Sequence, residues 1–477
     1  MTLRRRALVA AAGALLLSGC TSFTDTVGAP PPVGAPADPA EEGEEVCPAE
    51  RAAPDPDRPV VDLAFRLEDD RATVTGTETV LFTPDRDVRE LVFRLVPNGP
   101  ESASAGNRLV VEDVRGDDVD TGRYEPAAAA DPGGLYVVDL DGELEAGEST
   151  EVELDFTLTL GDEGFDRFGT DEGVSWWASG APLLAWEPGV GWAEDPFVDL
   201  SGETTSSPAA DTTVTVSAPE DLTVLMTGAR AGPSAPRDGR RSWTSAEPVA
   251  RDVGVAAGLF TTEQATTPDG VAVTVGVLPG AELDAPRLAG WATDAIAALE
   301  QHVGPYPYRT LTVALLPDYG GGIEYPSMIF EATTSRAVLV HEVAHMWFYG
   351  MVGNSQFRDP WLDEAFASWA EAVVDGAGSL VDDRALSRDG PVGAAMDEYV
   401  GDRAYFSLVY DKGGSALLAA RQAAGPEAFD AAIRCYVDAN AWSIATPADV
   451  GEALAGLPAA LDPLIEAQAL GKDDLAR

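Results

Sequence analysis

The chain has 477 residues, a length typical of two or three domains, and its 31 basic and 80 acidic residues give a formal charge of −49. This acidic balance excludes a nucleic-acid-binding protein and electrostatic docking on anionic lipid, because both partners require a basic surface. Three cysteines exclude a disulfide-dense scaffold and a cysteine-rich metal site, whereas a hydrophobic content of 45% is sufficient for packed cores.

The first twenty residues predict export from the cytoplasm. Three arginines at residues 4–6 precede an apolar run at 7–17, which is too short to span a bilayer because a spanning helix needs about 20 apolar residues. The sequence Leu-Ser-Gly-Cys at residues 17–20 resembles the lipobox of bacterial lipoproteins, in which the cysteine becomes the lipidated first residue. We therefore expect a signal peptide at 1–19 and lipidation at Cys20. The alternative is ordinary secretion, with Cys20 in this place by chance.

Residues 20–57 are predicted to form a disordered tether. They are rich in proline, alanine, glycine and glutamate, and they lack hydrophobic periodicity. Because prolines extend such a segment, it would hold the folded part of the protein away from the membrane.

A β-rich domain is predicted over residues 58–262. Apolar and polar residues alternate over residues 61–67, and related strand patterns recur at 91–95, 152–158 and 212–216. Turn-forming residues separate these runs at intervals of about ten residues, and no convincing long helix interrupts them. Short strands with regular turns are typical of a β-sandwich-like domain.

Residues 263–477 are predicted to form a mainly helical domain with a small mixed sheet. Asp284 with Pro286 is a typical helix start, and apolar residues follow on one face as far as Val303. Residues 310–316 have the pattern of a strand. Further helices are predicted at residues 336–350, 361–376, 403–422 and 426–440. A sheet followed by a run of helices indicates the α+β class, so we expect an α+β multidomain protein.

The sequence His-Glu-Val-Ala-His at residues 341–345 contains two of the three histidines of the chain and lies in an apolar stretch with helical spacing. Because histidines at positions i and i+4 share one helix face, His341 and His345 can direct a ring nitrogen at the same Zn²⁺. Glu342 is adjacent to the first ligand and can take a proton from an attacking water. The alternative is a pair of core histidines beside a buried acid, but burying Glu342 unpaired would be energetically costly.

A catalytic zinc needs a third protein ligand and one open coordination position. Eighteen residues separate His345 from Glu364, which lies in a second helix-like segment, Trp-Leu-Asp-Glu-Ala-Phe-Ala at residues 361–367. A His₂Glu ligand set is that of zinc proteases that hydrolyse amides. We therefore predict one Zn²⁺ per chain, held by His341, His345 and Glu364 from two packed helices.

These motifs resemble those of the aminopeptidase N family of gluzincin zinc metallopeptidases, peptidase family M1. The segment that contains Glu364 is close to the family's Trp-Leu-Asn-Glu-Gly-Phe-Ala. Gly-Gly-Ile-Glu-Tyr at residues 321–325 resembles the family's Gly-x-Met-Glu-Asn exopeptidase motif, with Ile for Met and Tyr for Asn. Val-Tyr-Asp-Lys-Gly at residues 409–413 resembles the Val-Tyr-Glu-Lys-Gly segment that carries the family's catalytic tyrosine. The resemblance covers residues 58–440 and implies a saddle-like β domain followed by a thermolysin-like catalytic domain.

The resemblance also implies which residues bind the substrate. Glu324 would accept the charged α-amine of a peptide and so fix the cut one residue from the N-terminus. Gly321, Gly322 and Tyr325 belong to the same motif, and its glycines would allow a substrate to approach the backbone as an added strand. The alternative is that Glu324 is a solvated loop residue.

The same resemblance implies a catalytic tyrosine, and three weaker candidates are added from their positions in the sequence. Tyr410 would donate its O–H to the developing oxyanion, and Tyr405 is a neighbouring candidate. Glu371 lies on the helix face of Glu364 and would orient a zinc-ligand histidine, unless it is simply a solvated surface residue. Glu187 falls in the β-domain region that, in the family, sends a Gln or Glu towards the substrate amine.

Four remaining polar residues are predicted to be structural, capping or helix-end groups: Asp363, Arg358, Lys412 and His302. Cys435 either pairs with Cys47 in an oxidising compartment or is a buried thiol.

The sequence therefore predicts a zinc-dependent aminopeptidase that removes N-terminal residues from peptides outside the cytoplasm. Its partners would be peptides with a free N-terminus and, through Cys20, the outer face of the bacterial cytoplasmic membrane, and we expect a monomer that binds no nucleic acid. Two alternatives stay open: a zinc endopeptidase of the same clan, and a surface binding lipoprotein with a vestigial zinc site. The segment after Glu364 is too short for the large C-terminal helical domain of many family members, so we expect an open cleft.

Overall fold

The computed structural model of the chain describes residues 50–162, 167–171, 173–202, 206–375 (without the side chain of Asp375) and 381–475. These residues belong to one unit, Val46–Arg477. The predicted signal peptide, Cys20, Cys47 and most of the predicted tether lie outside the described residues, so those assignments stay predictions.

The N-terminal part is built from strands and one short helix, α1 (Pro100–Ser104). Its strands are β1 (Val60–Leu67), β2 (Thr73–Phe82), β3 (Val88–Arg94), β4 (Arg108–Arg115), β5 (Val119–Glu125), β6 (Leu135–Leu144), β7 (Thr150–Thr159), β8 (Phe168–Asp171), β9 (Val174–Ala178), β10 (Leu183–Leu184), β11 (Trp186–Glu187), β12 (Gly191–Trp192), β13 (Ala210–Pro219), β14 (Thr223–Met226), β15 (Ala229–Arg230), β16 (Arg240–Ala250) and β17 (Gly254–Gly258). The predicted strand segments 61–67, 152–158 and 212–216 lie within these strands, and the segment 91–95 lies in β3 except for Leu95, which follows its end.

Two sheets of this part pack face to face. A seven-stranded sheet has the order β15-β16-β13-β1-β2-β7-β4, and a four-stranded sheet has the order β14-β17-β9-β8. Alternate residues of β1 point inward, and Phe65 of β1 meets Trp177 of β9 with ring centroids 5.8 Å apart. A further four-stranded sheet, β10-β3-β6-β5, and the two-stranded sheet β11-β12 also belong to the β-rich part. Alternating apolar residues on paired sheets explain why this sequence folds as the predicted sandwich.

A five-stranded mixed sheet begins the second part. Its strands are β18 (Thr261–Thr266), β19 (Ala272–Val277), β20 (Thr310–Leu315), β21 (Gly321–Tyr325) and β22 (Met328–Ala332), in the order β18-β19-β20-β22-β21. Among the described residues β21 is therefore an outer strand, paired only with β22. The predicted boundary between residues 262 and 263 falls inside β18, which pairs with β19 along its whole length.

Helices follow the sheet in the predicted order. They are α2 (Ala285–Val303), α3 (Arg336–Ala344), α4 (Trp361–Asp375), α5 (Asp383–Leu386), α6 (Asp402–Tyr405), α7 (Gly414–Ala424), α8 (Pro426–Ala439), α9 (Pro447–Ala453) and α10 (Pro458–Glu466). The start of α2 is capped as predicted, because the Asp284 carboxylate accepts the backbone N–H of Arg287 at 2.9 Å. A short pair, β23 (Gly353–Asn354) and β24 (Ile444–Ala445), ties the α3–α4 connection to the C-terminal helices.

Two predicted helices differ in detail from the observed ones. The helix predicted at 336–350 ends at Ala344. Turns follow as far as Tyr349, whose φ is 101°. The helix predicted at 403–422 contains a π-helical stretch, Phe406–Gly413, between α6 and α7. π-Helical stretches are rare, and a periodicity analysis that assumes 3.6 residues per turn does not distinguish them from an α-helix.

One cysteine of the described residues settles an alternative. Cys435 on α8 is 8% exposed and is disulfide-bonded, so it is not a buried free thiol. Close to it, the start of the described chain is held at the end of α8: Arg51 Nε and the backbone N–H of Ala52 both donate to Asp438 at 2.8 Å.

In the part of the chain that the structure describes, no helix combines the length and the apolar character needed to span a bilayer.

Candidate metal centre and active site

Helices α3 and α4 bring the three predicted metal ligands together. His341 lies in the last turn of α3, and His345 follows its end with a backbone that is still helical (φ −61°, ψ −13°). Glu364 lies in the first turn of α4. Glu364 Oε2 is 3.2 Å from His341 Nε2 and 3.4 Å from His345 Nε2. All three side chains are 11% exposed or less, so they form one buried cluster.

The spacing and chemistry of these donors fit a zinc ion. Ligand atoms at 2.0–2.1 Å from a tetrahedral Zn²⁺ are about 3.3–3.4 Å from one another, which matches the two distances to Glu364 Oε2. All three donor atoms lie within 4.8 Å of one another. Two imidazole nitrogens and one carboxylate oxygen form the ligand set of a catalytic zinc site.

The second ring nitrogen of each histidine faces a further carboxylate. His341 Nδ1 lies 3.4 Å from Glu371 Oε2, and His345 Nδ1 lies 2.6 Å from Asp363 Oδ1. With a metal ion in the cluster, each Nδ1 would donate its proton to the carboxylate behind it, and each Nε2 would present its lone pair to the metal. The structure thus brings the predicted Glu371 to His341, and it adds Asp363, which sequence reasoning had interpreted as a structural group.

The charges around the ligands favour a cation at this position. Burial alone would lower the pKa of His341, but the carboxylates of Glu364 and Glu371 raise it to about 10. The pKa of Glu364 is well below its ordinary range, because the two imidazoles overcome the opposing effect of burial. A group of buried carboxylates that stabilises positive charge so strongly is suited to hold a divalent ion.

Glu342, the predicted general base, lies beside the ligands under the strand β21. It is 4% exposed, and burial raises its pKa despite the nearby histidines. A Cβ added to Gly322 would come within 2.6 Å of Glu342 Cγ, so the glycine makes the room that this side chain occupies. Gly321 also lines the cavity above the metal site, and a Cβ there would meet nothing within 4 Å.

Glu324 reaches the same site from the outer strand β21. Its carboxyl is 5% exposed, and Oε1 has no hydrogen-bond partner among the described residues. Donor atoms of Glu324, Glu342 and His345 lie within 4.8 Å of one another. Burial raises the pKa of Glu324 to about 8, although His345 acts in the opposite direction. A buried carboxyl with a free oxygen beside the metal ligands is ready to accept a cationic group.

Tyr410 lies on the π-helical stretch and stacks on a metal ligand. Its ring is parallel to that of His341, with an interplanar angle of 8° and centroids 5.9 Å apart. Tyr405 meets Tyr410 edge-on at 5.7 Å, and Phe406 lies 5.0 Å from Tyr410 on its other side. Burial and the charge of Glu364 raise the pKa of Tyr410, so its O–H keeps its proton and can act as a donor.

A cavity of about 560 Å³ opens above these groups. Its lining combines the predicted site residues with groups from both parts of the chain, and these are Glu101, Arg167, Ser201, Gly202, Tyr319, Gly320, Gly321, Gly322, Ile323, Glu324, Val338, His341, Glu342, His345, Glu364, Glu371, Phe406 and Tyr410. The volume is sufficient for a few amino-acid residues of a ligand.

A comparison with protein-family models identifies the segment that holds this site. Residues 294–465 match the model described as the peptidase family M1 domain. This range contains α3, α4 and the π-helical stretch, and with them the three ligands and Tyr410. This segment of the chain is therefore similar to the peptidase family M1 domain. The match bears out the predicted family resemblance, and it indicates Zn²⁺ as the cofactor for which the donor set is suited.

Curated relatives share the M1 segment at low identity. Aminopeptidase M1-B from Oryza sativa subsp. japonica is 25% identical over 232 residues, which are 42% of this chain and 26% of that protein. Aminopeptidase N from Bos taurus is 27% identical over 267 residues, which are 49% of this chain and 26% of that protein. The chain therefore spans about a quarter of the length of these curated relatives.

Solved M1 structures resemble nearly the whole described fold. The M1 zinc metallopeptidase from Deinococcus radiodurans matches with a TM-score of 0.64 at 19% identity, covering 86% of this chain and 93% of that one. A mutant of the Deinococcus radiodurans enzyme, bound to a Tyr-Ser-Ala substrate, matches with a TM-score of 0.63 at 20% identity, covering 87% and 94%. At such identities the likeness is one of fold, and it confirms the predicted fold class.

Three residues predicted from the M1 motifs do not reach the cavity. Tyr325 is 2% exposed and packs on Phe330, because successive residues of a strand point to opposite faces and Glu324 takes the cavity side. Tyr405 is fully buried behind Tyr410. Glu187 is 1% exposed and forms an ion pair with Arg358, so its carboxylate is directed at the junction of the two parts of the chain.

Sequence reasoning missed other residues of the M1 site. Glu101, in the short helix α1, lines the cavity and accepts the Ser201 hydroxyl at 2.9 Å. Tyr319 and Phe406 line it from the loop before β21 and from the π-helical stretch. None of the three belongs to a motif with recognisable spacing, because their approach to the metal ligands depends on the tertiary fold alone.

Proposed function

We propose that this protein is a zinc-dependent aminopeptidase, which hydrolyses the first peptide bond of peptides with a free N-terminus. The match of residues 294–465 to the peptidase family M1 domain and a His₂Glu cluster beside a buried glutamate support the zinc peptidase chemistry. The restriction to N-terminal residues is supported by Glu324.

The buried carboxyl of Glu324 carries this proposal. It lies in the wall of the cavity next to the metal ligands, and its Oε1 has no hydrogen-bond partner among the described residues, although His345 Nδ1 lies 4.0 Å away. Leaving such an acceptor unsatisfied is costly, and an α-ammonium group would supply both the missing hydrogen bond and the opposite charge. A carboxyl at this point would hold the free amine close to the metal and leave room for one residue before the scissile bond.

The site supplies a candidate group for each step of peptide-bond hydrolysis. When bound, zinc polarises the scissile carbonyl and lowers the pKa of the attacking water. Glu342 takes a proton from that water on its carboxylate and transfers it to the nitrogen of the leaving peptide. Tyr410 donates its O–H to the carbonyl oxygen as negative charge develops there.

The outer strand β21 is suited to align the substrate. Its backbone groups on the side away from β22 are available to an extended peptide, which could pair with them as a further strand. Gly321 and Gly322 keep this edge free of side chains, so the peptide backbone can lie against the strand directly above Glu342.

We also propose that the enzyme acts outside the cytoplasm, anchored by lipid at Cys20. The export pattern of residues 1–20 supports this location, and so does the disulfide at Cys435, because structural disulfides form in oxidising compartments. Palmitate labelling of the protein expressed in a bacterial host tests the anchor: we expect label in the parent protein and none in Cys20→Ser.

The activity is tested with matched aminoacyl anilides and short peptides, each with a free or an acetylated N-terminus. We expect hydrolysis of the free substrates and a loss of at least about tenfold in kcat/KM on acetylation, since Glu324 would lose its cationic partner. Glu342→Gln should bind zinc and lose about 10²–10⁴-fold in kcat. Equal cleavage of acetylated peptides at internal bonds would instead establish an endopeptidase, and full activity in Glu342→Gln would refute the mechanism.

A further inference from the structure

We propose that Asp363 and Gln356 position His345 as a metal ligand, and that the β-rich part of the chain holds this pair in place. The inference deepens the proposed function, because it concerns the zinc centre of the same site. The family pattern Trp-Leu-Asn-Glu-Gly-Phe-Ala has a neutral Asn at the position of Asp363. This chain therefore carries an ionisable carboxyl where that pattern has an amide.

The contact between Asp363 and His345 is short and fully enclosed. Asp363 Oδ1 lies 2.6 Å from His345 Nδ1, and each side chain is 1% exposed. The backbone carbonyl of Phe348 approaches the same nitrogen at 3.2 Å, but a carboxylate is the stronger acceptor. This hydrogen bond fixes the proton on Nδ1 and strengthens the lone pair on Nε2, which faces Glu364.

Gln356 occupies the other oxygen of Asp363. Its Nε2 donates to Asp363 Oδ2 at 3.1 Å, and Gln356 is 2% exposed. The two oxygens of Asp363 are thus divided between an amide donor and an imidazole donor, so the carboxylate cannot rotate without losing a buried hydrogen bond. An aspartate fixed in this way holds the imidazole plane of His345 as well as its tautomer.

The segment that carries Gln356 is held by the β-rich part of the chain. Arg358, two residues further on, pairs with Glu187 and donates to Asp195 Oδ2 at 2.9 Å. Glu187 and Asp195 belong to the β-rich part, and Glu187 is almost fully buried. The β-rich part thus holds Arg358, and Gln356, two residues earlier on the same segment, contacts Asp363 behind the metal ligand.

The other ligand histidine is held less tightly, which supplies an internal comparison. Glu371 Oε2 is 3.4 Å from His341 Nδ1, and the Glu371 side chain is 34% exposed. Water competes with a hydrogen bond at such a site, whereas it cannot reach the one between Asp363 and His345. Neutralising Asp363 should therefore weaken zinc binding more than neutralising Glu371.

The test is zinc affinity, measured by competition with a chromophoric chelator, for the parent protein and for Asp363→Asn, Glu371→Gln and Gln356→Ala. We expect Asp363→Asn to weaken zinc binding by about 10- to 100-fold, and we expect smaller losses for the other two variants. In protein substituted with Co²⁺, the visible absorption spectrum should change more in Asp363→Asn than in Glu371→Gln. Thermal unfolding of the metal-free variants is the folding control.

The outcomes separate this inference from the proposed function. Zinc affinity in Asp363→Asn within about threefold of the parent value would overturn the inference, and so would an equal or larger loss in Glu371→Gln. A parent protein that binds no zinc would overturn both. If the parent binds zinc and the predicted order of affinities holds, but no free-amine substrate is cleaved, the inference stands and the proposed function fails.

Discussion

At the scale of single residues, both ligand histidines direct one ring nitrogen at Glu364 and the other at a carboxylate of helix α4. The three ligands were predictable because their positions follow from local rules: i and i+4 on one helix, and a glutamate at a fixed distance along the chain. The carboxylates behind them are harder to predict. Asp363 directly precedes Glu364, yet its role depends on how α4 packs against α3.

The choice between Glu324 and Tyr325 shows that a local rule can also correct a family motif. The resemblance assigned both residues to the substrate, but their side chains point to opposite faces of the strand. In the structure Glu324 lines the cavity, whereas the ring of Tyr325 is buried against Phe330.

Replacing Tyr410 with Phe should separate chemistry from metal binding. The substitution removes one O–H donor and keeps the ring that stacks on His341, so the centre should retain its zinc. We expect kcat to fall by about 10²–10³-fold with an unchanged metal content, because one oxyanion donor is lost. Steady-state kinetics and metal analysis on the same preparation test this, and a kcat close to that of the parent would exclude Tyr410 as the donor.

At the scale of elements, the long helices and strands were predicted well, and their ends and irregular turns were not. Asp284 has a cap signal, and the helix begins where that signal predicts. In contrast, α3 ends at Ala344, although the apolar pattern continues to residue 350, because the chain turns there to meet the β-rich part: Arg251 donates to the carbonyl of Gly350 at 3.3 Å. A tertiary contact of this kind leaves no periodic signal.

Strand β21 offers a matched pair of substitutions. Gly322→Ala places a Cβ 2.6 Å from Glu342 Cγ, whereas Gly321→Ala meets nothing within 4 Å. We expect kcat to fall at least about tenfold more in Gly322→Ala than in Gly321→Ala, because a small displacement of a catalytic group is costly. Kinetics and thermal unfolding of both variants test this. Equal kinetics in the two would show that Glu342 does not depend on this glycine.

At the scale of the whole molecule, the β-rich part was predicted as a separate domain, and it contributes to the active site in several places. Glu101 lines the cavity, and the turn between β21 and β22 is anchored by Ser327, whose Oγ accepts the backbone N–H of Gly228 at 2.9 Å. The sequence shows that there are two parts and which strands each contains. It does not show which loops meet, because those contacts join residues that lie far apart in the sequence, such as Gly228 and Ser327.

Glu247 of β16, where the β-rich part meets the turn that contains Ser327, should make the stability of the folded chain depend on pH. Burial raises the pKa of Glu247 to about 7, although hydrogen bonds from Ser327 and Val249 oppose the effect. The folded state therefore holds a proton that the unfolded chain releases at lower pH, so the contribution to stability is complete below the ordinary glutamate pKa and is lost as the pH rises towards 7.

Glu247→Gln should remove this dependence. We expect the variant to match the parent near pH 4.5 and to exceed its free energy of unfolding by about 1–3 kcal/mol at pH 8, since the amide carries no charge to bury. Denaturant unfolding of both proteins across this pH range is the measurement. A difference in stability that stays constant with pH, or one that grows towards acid pH, would contradict the assignment.

The central claim is that His341, His345 and Glu364 hold one zinc ion. Its most direct test is the zinc content of the protein after loading with Zn²⁺ and washing with a weak chelator, measured by mass spectrometry of the metal. We predict one zinc per chain in the parent and in Glu342→Gln, and almost none in Glu364→Ala. A parent protein without zinc, or a Glu364→Ala variant that retains it fully, would contradict the claim.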